Sequence, residues 1–229
     1  MSLLTACHAD AERGVVAITL ILTGYWTGYW IFFMLIVSRH RHEADASATA
    51  LLLAARFNTF VLDIPLLYDI PADSPIIQRL RSLPEPAYYL VPLSARSVKN
   101  MLNDLHIPYV EVFESKETVQ ISDGGVSGGQ VESFTDIPQQ RWYPILDSAQ
   151  CSACLECVNY CLFGVYTIGS DSRPYVEQPD ACRNGCPACA RVCPSKAIMF
   201  PLYEDRVIAG YEYDAPDNID DLIDIVDKI

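Results

Sequence analysis

The stretch that decides the reading is CSACLECVNYC, residues 151–161, answered by CRNGCPACARVCP, residues 182–194. Eight of the nine cysteines lie in these two runs. The first is spaced C-x2-C-x2-C-x3-C over Cys151, Cys154, Cys157 and Cys161. The second is spaced C-x3-C-x2-C-x3-C over Cys182, Cys186, Cys189 and Cys193, with Pro194 behind it. Three thiolates at two-residue gaps let one loop wrap a polynuclear cluster, whereas structural zinc takes its cysteines as separated C-x2-C pairs. Disulfide frameworks belong to short secreted chains with cysteines spread throughout, and residues 8–150 contain none. The donor set therefore points to a pair of [4Fe–4S] cubanes and to one-electron chemistry.

Residues 142–202 resemble a bacterial-type two-[4Fe–4S] ferredoxin domain, on the strength of the two cysteine runs and of WYPIL, which is similar to the family's entering strand. In that family the last cysteine of each run ligates the other cluster. Carried over residue by residue, the resemblance implies one cluster on Cys151, Cys154, Cys157 and Cys193, and the other on Cys161, Cys182, Cys186 and Cys189. It implies an α+β ferredoxin-like fold with a hairpin in GVYTIGSDSRPYVEQ, turning near Gly169–Arg173, and a second hairpin from AIMF and RVIAGY. Val158, Leu162, Phe163, Val165, Ile168, Val176, Val192, Ile198 and Phe200 are expected to wall the clusters. Two departures stand out. Leu162 follows Cys161 where the family has proline, which should loosen that turn. The second run opens with three intervening residues, which puts Cys182 in question unless Gly185 absorbs the extra residue through a positive φ. Glu156 and the acidic surface favour the oxidised form, hence a low potential.

Ahead of the cysteines, strand and helix alternate. FVLDIPLLY (60–68), AYYLVPL (87–93) and YVEVF (109–113) read as strands, rich in β-branched and aromatic residues. Ser74 with Pro75 opens one helix, and Ser94 opens another whose Val98, Leu102 and Leu105 share a face. EADASATALLLAAR (43–56) reads as a helix by propensity. Residues 1–134 are thus expected to form an α/β domain with a small parallel, Rossmann-like sheet, residues 135–141 a linker, and residues 142–229 the two-cluster ferredoxin domain. Residues 118–134 read as a hairpin around DGGVSGG, whose glycines lack the Lys-Ser/Thr of a phosphate loop. The C-terminus reads as a short acidic helix capped by Asp217, with Ile219, Leu222, Ile223, Val226 and Ile229 along one face.

Residues 14–37 carry no charge and are long enough to span a bilayer, with a basic flank at 38–42. Against this, Tyr25, Trp26, Tyr29 and Trp30 would sit at the bilayer centre rather than at its interfaces. The competing reading is a buried strand (VVAITLIL, 15–22), a loop and a helix. The expected location is cytoplasmic, with a membrane-anchored form, ferredoxin domain on the cytoplasmic side, as the alternative.

Asp and Glu outnumber Lys and Arg 29 to 16, a net charge of −13. That excludes the basic footprint of nucleic-acid binding and suits a redox partner with a basic docking surface. Asp63, Tyr68, Asp69 and Asp73 cluster at the carboxyl end of a candidate strand, where open α/β sheets hold ligands. No nucleophile elbow, Walker motif or dinucleotide fingerprint is present, and no catalytic residue is assigned. The reading favours an electron carrier. Its rivals are an oxidoreductase or oxidoreductase subunit whose α/β domain binds substrate and whose clusters relay electrons, and a structural or sensing iron–sulfur protein.

Overall fold

The computed structural model describes residues 34–41, 50, 54, 60–84, 86–114, 129–135 and 138–211. Its larger sheet is built from β1 (Met34–Ser38), β2 (Phe60–Ile64), β3 (Ala87–Val91), β4 (Tyr109–Glu114) and β5 (Gln130–Ser133), in the order β4-β3-β1-β2-β5. Every pairing is parallel. With β2 on one side of β1 and β3 on the other, the winding reverses at β1, so the strand order departs from the dinucleotide-binding arrangement while remaining doubly wound. The central strands are apolar on both faces, as a covered parallel sheet requires: Ile36, Leu62 and Tyr89 face one core, Leu35, Val61 and Leu90 the other.

Helix α1 (Pro75–Arg81) starts where Ser74 Oγ accepts from the Ile77 N–H, and Pro75 occupies the position that needs no donor. Helix α2 (Ala95–Asp104) starts the same way, with Ser94 Oγ accepting from the Ser97 N–H. Ile76, Ile77 and Leu80 of α1 and Val98, Met101 and Leu102 of α2 turn into the sheet's core. Ala50 and Ala54 are helical and buried, at positions inside the helix expected over 43–56.

Three expectations change. Residues 34–38, which close the apolar stretch and open its basic flank, are the central strand and not the end of a helix; hydrogen bonding to β2 and β3 on either side needs the extended backbone. The rest of that stretch, including VVAITLIL, lies outside the described residues, as do the first arm of the 118–134 hairpin and the acidic C-terminal helix. Among the described residues no helix is long and apolar enough to cross a membrane. Second, Gln130–Ser133 joins the sheet in parallel beside β2 as an edge strand. Third, AIMF does not fold back on RVIAGY. β9 (Ile198–Met199) pairs antiparallel with β6 (Ile145–Leu146), while residues 201–210 form a run of turns held by Phe200 N–H on Ile208 O. The hairpin expected near Gly169–Arg173 is present as β7 (Tyr166–Ile168) and β8 (Pro174–Val176).

The cysteine-bearing unit sits on the carboxyl edge of the sheet. Ile145 and Met199 pack into the same core as Ile36, Leu62 and Tyr89. The Ala209 carbonyl accepts from both Ser94 Oγ and Ser97 Oγ at the start of α2. Residues 209–210 thus lie against the start of α2, beyond the carboxyl end of β3.

Candidate metal centre

The two runs build two near-copies of one local structure. Helix α3 (Glu156–Tyr160) carries Cys157, and α4 (Ala188–Val192) carries Cys189. Each five-residue helix stops at the next cysteine, which turns the chain into extended conformation: Cys161 at φ −80°, ψ 108° and Cys193 at φ −71°, ψ 110°. Proline after Cys193 restricts that residue to extended conformations. Cys161 reaches the same geometry with Leu162 behind it, so the missing proline does not loosen the turn. Ahead of each helix a left-handed residue precedes the second cysteine of the run, Ala153 at φ 56° and Gly185 at φ 75°. Gly185 has the positive φ expected of it, shared by Ala153 in the run without the extra residue, and a Cβ there would meet nothing within 4 Å.

The exit from each helix sends its last cysteine away from its own run. One cavity, of about 470 Å³, is lined by Cys161, Cys182, Cys186 and Cys189, together with Pro144, Leu162, Phe163 and Tyr166. A second, pinched hollow of about 10 Å³ is lined by Cys151, Cys154, Cys157 and Cys193, with Leu146, Pro174 and Ile198. No disulfide joins any of these eight cysteines. The sulfurs of the larger cavity ring a space rather than a point, which suits a body with several metal atoms. The larger cavity has room for one. Seating one in the pinched hollow requires its sulfurs to spread.

Burial pushes the Cys157 and Cys182 thiols up to about 12 and the Cys189 thiol up to about 11, with neighbouring cysteines adding to each shift. Crowded thiols hold their protons until cations compensate them, and metal binding releases those protons. The Tyr166 hydroxyl is buried and makes no hydrogen bond, and Tyr166 lines the larger cavity together with Cys189. An orphaned donor in a cavity lined by four cysteines fits a site built to hold a charged sulfur assembly. In the other hollow, Ala153 N–H donates to Cys151 Sγ at 3.4 Å and Ala197 N–H to Cys193 Sγ at 3.3 Å.

The wall is only partly as expected. Val165, Ile198 and Phe200 are buried, whereas Leu162 is 90% exposed and Phe163 and Ile168 are also exposed. Leu162 and Phe163 follow the turn out of α3 and form the outer rim of the larger cavity.

The α/β unit holds both cysteine loops. Arg96 on α2 reaches Asp147 Oδ2 (2.8 Å), Gln150 Oε1 (2.8 Å) and the Lys196 carbonyl (3.0 Å). Asp147 in turn accepts from the Ala149 and Gln150 N–H groups, and its carbonyl accepts from Cys151 N–H. On the other side, Tyr68 and Tyr143 stack with centroids 4.4 Å apart. Tyr68 Oη donates to the Tyr143 carbonyl (2.6 Å) and accepts from the Tyr143 N–H (2.7 Å). Asp69 receives Arg41 and the Arg141 N–H, and Arg141 continues to Asp180 just before Cys182. Trp142 Nε1 donates to the Cys186 carbonyl (3.2 Å). The carboxyl-end cluster suspected of binding a ligand therefore has other employment: Asp63 pairs with buried Arg39, Tyr68 and Asp69 fasten the cysteine unit, and Asp73 is exposed ahead of the α1 cap. Tyr68→Phe is expected to lower stability by about 1–3 kcal/mol by stranding the Tyr143 amide and carbonyl, read as a lower urea midpoint with an unchanged slope.

Neither Arg96 nor Tyr166 stands out in the sequence by itself. Arg96 has no local signature. Tyr166 has a weak one: setting the second run on the first pairs it with Ile198, so one wall position has a polar tip where its counterpart is aliphatic.

Fold and site together define a cysteine-rich unit packed against a parallel α/β sheet. No profile of a known protein family matches the chain. A stretch of 61 residues is 36% identical to an uncharacterized ferredoxin of Methanocaldococcus jannaschii, covering 26% of this chain and 41% of that relative. The chain thus matches less than half the length of that relative.

Proposed function

We propose that this protein is an electron carrier holding two [4Fe–4S] clusters, the first on Cys151, Cys154, Cys157 and Cys193 and the second on Cys161, Cys182, Cys186 and Cys189. The observation that carries the reading is the partition of the eight cysteines into two sets of four, each around its own hollow, with the last cysteine of each run in the other run's set. Such clusters supply one-electron reduction and oxidation at potentials set by burial and by hydrogen bonds to sulfur. The chain's own part is to hold the sulfurs, keep water from the inner wall through Val165, Ile198 and Phe200, and fix both loops through Arg96, Trp142 and the Tyr68–Tyr143 stack.

The redox partner is a protein with a basic docking surface, complementary to a net charge of −13. The α/β sheet serves as a mount. The hydrogen bonds from Ser94 and Ser97 to the Ala209 carbonyl support that role. Anaerobic purification with iron and sulfide counting, followed by EPR of the reduced protein, tests the proposal. About eight irons and two interacting cubane signals are expected; one zinc per four cysteines would overturn it.

A further inference from the structure

We infer that Tyr166 is a positioning residue that donates its hydroxyl hydrogen to the Cys189 sulfur and so raises the reduction potential of the second site above what its four cysteines alone would set. The inference rests on the second set of cysteines holding a cluster.

Four observations meet here. The Tyr166 hydroxyl is buried with no completed hydrogen bond to any group. A phenol taken out of water without a partner costs free energy, so its place calls for an acceptor. Tyr166 and Cys189 line the same cavity and belong to the same buried cluster of side chains. A phenol carries its hydrogen at physiological pH and so can serve as a donor to sulfur. Finally, the molecule contains its own control. Tyr166 lies five residues after Cys161, and Ile198 lies five residues after Cys193. Ile198 lines the other hollow at the corresponding place and offers no donor. At this shared register one site carries an O–H group and the other an aliphatic side chain.

The direction follows from charge. Reduction adds an electron whose charge spreads onto the ligating sulfurs, and a hydrogen bond to sulfur stabilises the reduced state more than the oxidised one. Removing the donor lowers the potential.

The test is redox titration of the intact, cluster-loaded protein followed by EPR, with iron and sulfide counted on every sample. Tyr166→Phe keeps the ring and removes the donor. It is expected to keep its iron and to move one midpoint down by about tenfold in the one-electron equilibrium, about 59 mV, while the other stays in place. Site-specific Tyr166→3-fluorotyrosine, a stronger donor of nearly the same size, is expected to move the same midpoint up; it decides the matter if the phenylalanine variant loses iron. Unmoved midpoints in an iron-replete variant, or both midpoints moving together, would overturn the inference while leaving the proposed function intact. Unaltered protein without iron overturns both, and shows it before any variant is made.

Discussion

Cys161→Ala is expected to empty the second site and spare the first, although Cys161 belongs to the first run. Iron per chain should fall from about eight to about four. The reason is the exit from α3: extended conformation at Cys161 carries its sulfur to the cavity shared with Cys182, Cys186 and Cys189. A double variant separates this from run-by-run ligation. If Cys161 and Cys186 serve one cluster, Cys161→Ala with Cys186→Ala retains as much iron as either single change. If each run holds its own cluster, the double change removes both, and the count drops toward zero. Such non-additivity is the signature of two residues acting on one object.

Gly210→Ala is expected to cost about 2–5 kcal/mol, the sum of left-handed strain and overpacking. Gly210 has φ 94°, a conformation L side chains rarely adopt. An added Cβ would collide with Ser97 Oγ and lie 2.7 Å from Ser94 Oγ and 2.8 Å from Met199 Sδ. The serines cannot simply step aside, because both hold the Ala209 carbonyl and Ser94 Oγ also caps α2. The change should appear as a large fall in the urea midpoint. An unchanged midpoint would mean that residues 209–210 contribute nothing to holding the two units together.

The cysteines and the sheet were legible to different depths. Ligand spacing is local, so the runs could be read directly, and the helix starts at Ser74 and Ser94 follow from capping chemistry within three residues. Strands β2, β3 and β4 were legible because buried parallel strands are short apolar runs. Pairing was not. Nothing within QVESF distinguishes a hairpin arm from an edge strand beside β2, and nothing within RVIAGY warns that AIMF will pair with WYPIL instead. Those choices are made by partners far along the chain. The same holds for Asp69 and Tyr68: side chains that resemble a ligand site in isolation are consumed by Arg41, Arg141 and Tyr143. Leu162 shows the converse error, an apolar residue assigned to the wall that the turn after α3 leaves in solvent.

Ile145 and Met199 lie in the sheet's core, yet each belongs to the strand pair that frames the cysteine loops. Anything that binds only the folded loops therefore draws on the folding equilibrium of the sheet as well, by an amount that grows with the logarithm of ligand concentration over its dissociation constant. Iron supply would then set the lifetime of a sheet that touches no iron. Strong chelation should leave α/β strands that exchange their amide hydrogens faster, with β1, β2 and β3, which share that core, reporting the loss together with the cysteine region.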